Sequence, residues 1–171
     1  MTGKNGSWHI ELDGISQETA LKIAERDDVV SIGAVTIFNP DGELPYRMDG
    51  KRVVLYGIDE SYLTMNSTGA AEGRFPQGMG EIMLSSNAAR VLQVAVGDTV
   101  TLRTPSGDWD FTVSGLGGVE ESYYSGQYSL MDAYLPRTAF AALMEQNNVH
   151  NLQTSYYVQF TSASKAAKAI P

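Results

Sequence analysis

Apolar residues Trp8, Ile10 and Leu12 alternate with His9, Glu11 and Asp13, the period-two signature of a half-buried strand. Gly14 breaks it, and Ser16 stands where a helix N-cap is expected. Ala20, Leu21, Ile23 and Ala24 then give a short helix one apolar face, ending near Arg26-Asp27-Asp28. Val29–Phe38 is a β-rich run closed by an Asn39-Pro40-Asp41-Gly42 turn. Arg52–Ile58 is apolar on both faces and predicts a central strand. Residues 59–78 show neither period and read as irregular.

A short strand over Glu81–Leu84 follows, then a helix through Leu92 capped by Ser85 or Ser86, with Ala88, Ala89 and Leu92 inward. Thr99–Thr104 and Trp109–Ser114 alternate around Pro105-Ser106-Gly107-Asp108, which predicts a hairpin. After a Gly/Ser/Tyr-rich acidic stretch to Ser129 come a strand over Leu130–Leu135 and a helix opened by Pro136. That helix places Phe140, Leu143 and Met144 on one face. Tyr156, Val158 and Phe160 alternate as a last strand, and Ser162 or Ser164 caps a final Ala/Lys helix. No internal repeat is visible. The order is β-α-β-β, a β/α insert, then β-α-β-α, an α+β architecture with helices on one sheet face. Trp8, Ile10, Leu12, Leu21, Val53, Leu55, Phe140, Leu143, Val158 and Phe160 are expected to be buried together.

With 171 residues and 43% hydrophobic content, the chain can build one domain or two small lobes sharing a core. The net charge of −8 lacks the basic footprint of nucleic-acid binding and argues against electrostatic docking onto anionic lipid headgroups. There is no cysteine, so no disulfide or thiolate metal site can form. No apolar run approaches the roughly 20 residues of a membrane span. The N-terminus has no signal-peptide core, and both ends look cut, as in a fragment excised from a longer chain.

Little here resembles catalytic chemistry. His9 and His150 stand far apart in no metal-ligand spacing, and His9 is expected to face solvent. Gly115-Leu116-Gly117-Gly118 lacks the third glycine and the following helix of a dinucleotide loop. There is neither a Walker motif nor a Gly-x-Ser-x-Gly elbow. Asp27-Asp28, Asp59-Glu60 and Glu120-Glu121 are adjacent carboxylates, usually a solvated edge rather than an acid/base pair. Asn39–Glu43 lacks the ligand series of an EF-hand. No catalytic, cofactor or metal residue is assigned, and no cofactor is expected. Met79 and Met83 could line an apolar groove, with core packing the expected fate of Met83. Trp109 is expected to cover the small lobe's core, with an exposed position on the hairpin as the alternative. The stretch Glu120–Tyr128 joins Tyr to Ser and Gly, the composition of adaptable contact surfaces. Tyr123, Tyr124 and Tyr128 are therefore candidate partner contacts, with a plain linker as the alternative.

One family matches these motifs in order. Asp28-Val29-Val30-Ser31-Ile32, Leu55-Tyr56-Gly57-Ile58-Asp59, Glu72-Gly73-Arg74-Phe75, Gly80-Glu81-Ile82-Met83-Leu84-Ser85, Gly97-Asp98-Thr99-Val100 and Phe111–Gly115 follow the Trp8-His9-Ile10 opening. Together they resemble the periplasmic core domain of MacB/FtsX/LolC-type ABC transporter permeases. The resemblance implies an extracytoplasmic domain, on the outer face of the cell membrane, that couples an ATP-driven cycle to substrate or partner handling without catalysis. It implies an ABC ATPase subunit or domain acting through the parent permease, a second permease copy, and a peptide, lipoprotein or drug substrate.

It also implies a porter-like sheet-and-helix lobe, placed at 7–60 and 128–171, with a small inserted β-rich lobe at 75–118. Residues 61–74 and 119–127 connect them, and the two lobes are expected to carry separate sheets. Ser7 and Ile170 should leave the fold at the same end if membrane helices flank it. The other readings are a secreted hydrolase of unrecognised α+β fold and a stand-alone surface binding module.

Overall fold

The structure is a computed structural model that describes residues 10–38, 46–66, 70–117, 131–150 and 152–161. Strand β1 (Ile10–Asp13) leads to helix α1 (Gln17–Ala24), whose N-cap Ser16 accepts the backbone N–H of Thr19 through its hydroxyl. Strand β2 (Val29–Phe38) follows, then the hairpin of β3 (Arg47–Met48) and β4 (Lys51–Ile58). Asp49 and Gly50 turn that hairpin with positive φ of 51° and 73°, the geometry a two-residue Asp-Gly turn supplies.

Next come α2 (Glu60–Asn66), β5 (Ala70–Gly73), β6 (Glu81–Leu84) and α3 (Ser86–Leu92), capped by Ser85 on the N–H of Ala88. The hairpin β7 (Thr99–Thr104) and β8 (Gly107–Gly117) precedes β9 (Met131–Pro136), α4 (Arg137–Gln146) and β10 (Leu152–Phe160). The central-strand reading of β4 agrees with its burial from Val53 to Ile58. The region read as irregular instead contains α2 and β5.

The strands join in one continuous sheet in the order β1-β10-β2-β4-β3-β7-β8-β6-β9, with β5 on β8. β9 also pairs in parallel with β4, Val53 opposite Met131 through Ile58 opposite Pro136. So β4, β3, β7, β8, β6 and β9 close into a ring, while β2, β10 and β1 extend from β4 as an open wing. This corrects the expectation of separate sheets. Strands from 75–118 are tied to the outer segments by β3 pairing with β7 and by β6 pairing antiparallel with β9. Closing the ring removes exposed edges, a liability of small sheets.

The ring encloses the largest core. Val53, Leu55, Ile82, Leu84, Val100, Leu102, Phe111, Val113, Met131 and Leu135 meet there, with Phe140, Leu143 and Met144 of α4 and Ala88 of α3 packed in. The wing is apolar on both sides. α1 packs on the side of Ala34, Tyr156, Val158 and Phe160. α2 packs on the other, where Tyr62 and Leu63 join Val35, Val54, Tyr56, Ile58 and Tyr157.

Two core expectations therefore need correction. Val158 and Phe160 sit in a different cluster from Val53, Leu55, Phe140 and Leu143. Leu21 is 59% exposed, because α1 is only two turns long and rests on the sheet through Ala20 and Ile23. Ile10 and Leu12 are half-buried. Trp8, His9, the Asn39–Gly42 turn, the final helix and the Ser7/Ile170 relation lie outside the described residues. No helix among the described residues is long and apolar enough to cross a membrane.

Candidate functional site

Tyr123, Tyr124 and Tyr128 lie outside the described residues, as does Glu120-Glu121. Their segment runs between two fixed points: Gly117, opposite Ala70 on β5, and Met131, opposite Val53 on β4. The side chains that the sequence left unassigned make two locks, one between the ring and the wing and one within the ring.

The first lock is Asp59 with Arg137. Asp59 follows β4, at the point where β4 ceases to pair with β2. Its N–H donates to the carbonyl of Ala34 at 3.0 Å, and its carboxylate accepts the N–H of Ala34, also at 3.0 Å. The loop thus satisfies strand β2 where β4 has ended. Arg137, the first residue of α4, donates to the same carboxylate oxygen at 3.3 Å. Its guanidinium lies 5.6 Å from the ring centre of Tyr156, within cation–π range. Ser61 adds a bond from its hydroxyl to the carbonyl of Ile32 at 2.7 Å. These contacts hold α2, α4, β2 and β10 at one place. The Asp59-Glu60 pair is thus no uniform solvated edge: Asp59 is half-buried and bonded, and Glu60 is exposed.

The second lock is Arg74 with Glu81. Arg74 grips both carboxylate oxygens of Glu81, one of them at 2.8 Å, and Glu81 also accepts the N–H of Gln77 at 2.9 Å. The hydrogen bond from Arg74 and then that from Gln77 hold the Glu81 carboxyl below the usual range, and the hydrogen bond to Glu81 raises the guanidinium in turn. The Arg74 backbone crosses β8. Its N–H donates to Ser114 O at 2.9 Å, and Ser114 Oγ donates back to Arg74 O at 3.1 Å. Only glycines permit this approach: a Cβ on Gly73 would stand 2.2 Å from Ser114 O, and one on Gly115 would stand 2.4 Å from Arg74 O.

Inside the ring, Tyr46 donates its hydroxyl to Met144 Sδ at 3.3 Å, and burial pushes its pKa up to about 12. On the α2 side, Tyr56 stacks on Tyr134 at 5.4 Å and Tyr62 tilts against Tyr157 at 4.9 Å. The titration shifts of Glu81 and Tyr46 are products of structural pairing and burial. Met83 is fully buried, as expected, and Met79 is 52% exposed. Trp109 is half-buried against the ring core. His150 is exposed. Among the described residues no group of three His, Cys, Asp or Glu could hold a metal.

Three residues of these locks fall within the motifs quoted above, and Arg137 does not. Asp59 closes Leu55–Asp59, Arg74 belongs to Glu72–Phe75, and Glu81 belongs to Gly80–Ser85. The model of the MacB-like periplasmic core domain matches residues 3–170. The chain belongs to this family. It is a family of ABC transporter permease domains rather than of enzymes, and its members work in the context of an ATPase. The domain is the extracytoplasmic part of such a membrane protein.

Two solved structures share the fold. The periplasmic region of MacB from Actinobacillus actinomycetemcomitans superposes with a TM-score of 0.59 at 14% identity, over 92% of this chain and 72% of that one. A domain of a putative permease protein from Porphyromonas gingivalis gives 0.59 at 16% identity, over 97% and 75%. A comparison with curated proteins gives no match.

Proposed function

We propose that this MacB-like domain couples the ATP-driven cycle of its parent permease to substrate or partner handling outside the cytoplasmic membrane, and that it does so mechanically, without catalysis. The observation that carries the reading is the continuity of the sheet. Strands of the first, middle and last segments are hydrogen-bonded into one ring and wing. A displacement applied at one element then reaches the others through backbone bonds, with Asp59–Arg137 and Arg74–Glu81 resisting slippage. Shape carried through packed, bonded elements is how such coupling travels. The division into a porter-like part at 7–60 and 128–171 and an inserted part at 75–118 is kept as a description of chain order, with the two parts moving as one body.

Contact falls to the segment between Gly117 and Met131. Tyr123, Tyr124 and Tyr128 supply aromatic area beside Ser and Gly, which suits recognition of a second permease copy or of a peptide, lipoprotein or drug cargo. In the intact transporter, replacing all three with Ser should reduce transport while leaving the domain's Tm within about 2 °C, as for a surface change. A large fall in Tm would make the tyrosines core residues. Normal transport with unchanged Tm would make the segment a linker.

A further inference from the structure

The turn that leads into β6 carries an exposed thioether. Met79 is 52% exposed, whereas Met48, Met65, Met83, Met131 and Met144 are each 3% exposed or less. These are the methionines of the described residues, and the chain has no cysteine. Among the described residues, then, one sulfur faces solvent.

The fold holds it there. Arg74 and the N–H of Gln77 both bind the Glu81 carboxylate, which closes the base of the turn. The carbonyl of Gly80 accepts the N–H of Thr112 at 2.9 Å and ties the turn to β8. Gly78 and Met79 lie between these fixed points. Met79 joins none of the apolar clusters of the described residues. A Cβ at either flanking glycine, Gly78 or Gly80, would meet nothing within 4 Å. The sulfur is thus open to a small reagent and to the active site of a second protein.

We propose that Met79 is a reversible oxidation site, where this domain takes an oxygen atom from a peroxide. A lone pair on Met79 Sδ attacks one peroxide oxygen. The S–O bond forms as the O–O bond breaks, and sulfur gives up two electrons. The proton of the attacked oxygen passes to the departing one, which leaves as water, or as an alcohol from an alkyl hydroperoxide. An extracytoplasmic domain stands outside the reducing cytosol, where such oxidants are met. The sulfoxide is polar and accepts hydrogen bonds, so the apolar tip of the turn becomes a polar one. In a core that change is disruptive. Here the bonds that fix the turn run through Arg74, Gln77, Gly80 and Glu81, and leave the Met79 side chain free to change.

The test treats the folded 171-residue chain with dilute hydrogen peroxide and follows each methionine by peptide mass. Met79 should gain one oxygen at least about tenfold faster than Met48, Met65, Met83, Met131 or Met144, because those require the core to open. In urea that advantage should vanish. The chain oxidised at Met79 alone should keep its Tm within about 2 °C of the parent. Methionine sulfoxide reductases A and B together, which cover both epimers, should remove the oxygen from the folded chain. A buried methionine oxidised as fast as Met79, or an advantage that persists in urea, would overturn the site. So would a Tm lowered beyond that margin, or a sulfoxide that the reductases fail to reach while the chain is folded.

Discussion

The ring of Phe140 lies on the backbone of Gly57: a Cβ built at Gly57 would stand 2.7 Å from Phe140 Cβ and 2.7 Å from its Cγ. Helix α4 reaches β4 this closely because Gly57 has no side chain. Gly57→Ala should therefore force Phe140 or the helix outward and cost about 1–3 kcal/mol, as overpacking does. Gly78→Ala, where a Cβ meets nothing within 4 Å, is the control and should stay within about 0.5 kcal/mol. Urea unfolding of both variants checks the contrast. Equal stabilities would mean that α4 does not rest on Gly57.

Leu55 and Phe160 are each 4% exposed, in different clusters. Truncating either to Ala should cost about 2–5 kcal/mol. Because the clusters are distinct, the double variant should lose close to the sum of the two. Leu21→Ala should change stability by no more than about 0.5 kcal/mol. A loss at Leu21 comparable to that at Leu55 would mean that α1 is rotated.

These residues also mark how far the sequence was legible. Local signals read correctly: Ser16 and Ser85 cap the helices expected of them, and the unbroken apolar run Val53–Ile58 is a central strand. Phe140, Leu143 and Met144 share a buried face. Signals that depend on distant partners did not read. Tyr62, Leu63 and Met65 are too few to set a period, and α2 forms because the wing offers Val35 and Tyr157 to cover. Leu21 matched an apolar face, but the two-turn α1 rests on the sheet through Ala20 and Ile23 and leaves Leu21 outside. Met131–Leu135 read as a strand, but nothing local told that it would bond β4 on one edge and β6 on the other. Asp59 and Arg137 are 78 positions apart, so their pairing had no short-range trace. Arg74 and Glu81 lay within the resembling motifs without a stated role.

Glu81 links stability to acid. Its folded carboxyl titrates below the usual value because of the Arg74 and Gln77 hydrogen bonds. The unfolded chain therefore takes up its proton first as pH falls, near the ordinary value of about 4.3. The stabilisation is complete above that pH and is lost as pH falls through the depressed folded value. The stability difference between the parent and Glu81→Gln should be constant near neutrality and shrink below about pH 4. A difference independent of pH would mean that the Arg74 grip is absent in solution.

Tyr46 acts at the opposite end of the scale. Burial raises its folded pKa to about 12, while the unfolded side chain ionises near 10. The neutral hydroxyl in the ring core thus favours the fold fully below pH 10, and that contribution falls away as pH rises toward 12. Tyr46→Phe should remove this alkaline loss and, at neutral pH, cost about 0.5–1.5 kcal/mol for the bond to Met144. Alkaline unfolding profiles of parent and variant that fall in parallel would contradict the assignment.

The sheet's continuity makes a claim about motion that distance measurements in the intact transporter address directly. Spin labels at Glu18 on α1 and Thr99 on β7, both exposed, report on the wing and the ring of one domain. A single label at Glu18 in each of two permease copies reports on the separation of domains. On ATP binding the distance within a domain should stay fixed while the distance between domains shifts. If ATP is hydrolysed and the distance between domains does not change, the domain does not carry the cycle outward and the mechanical coupling proposed here is wrong.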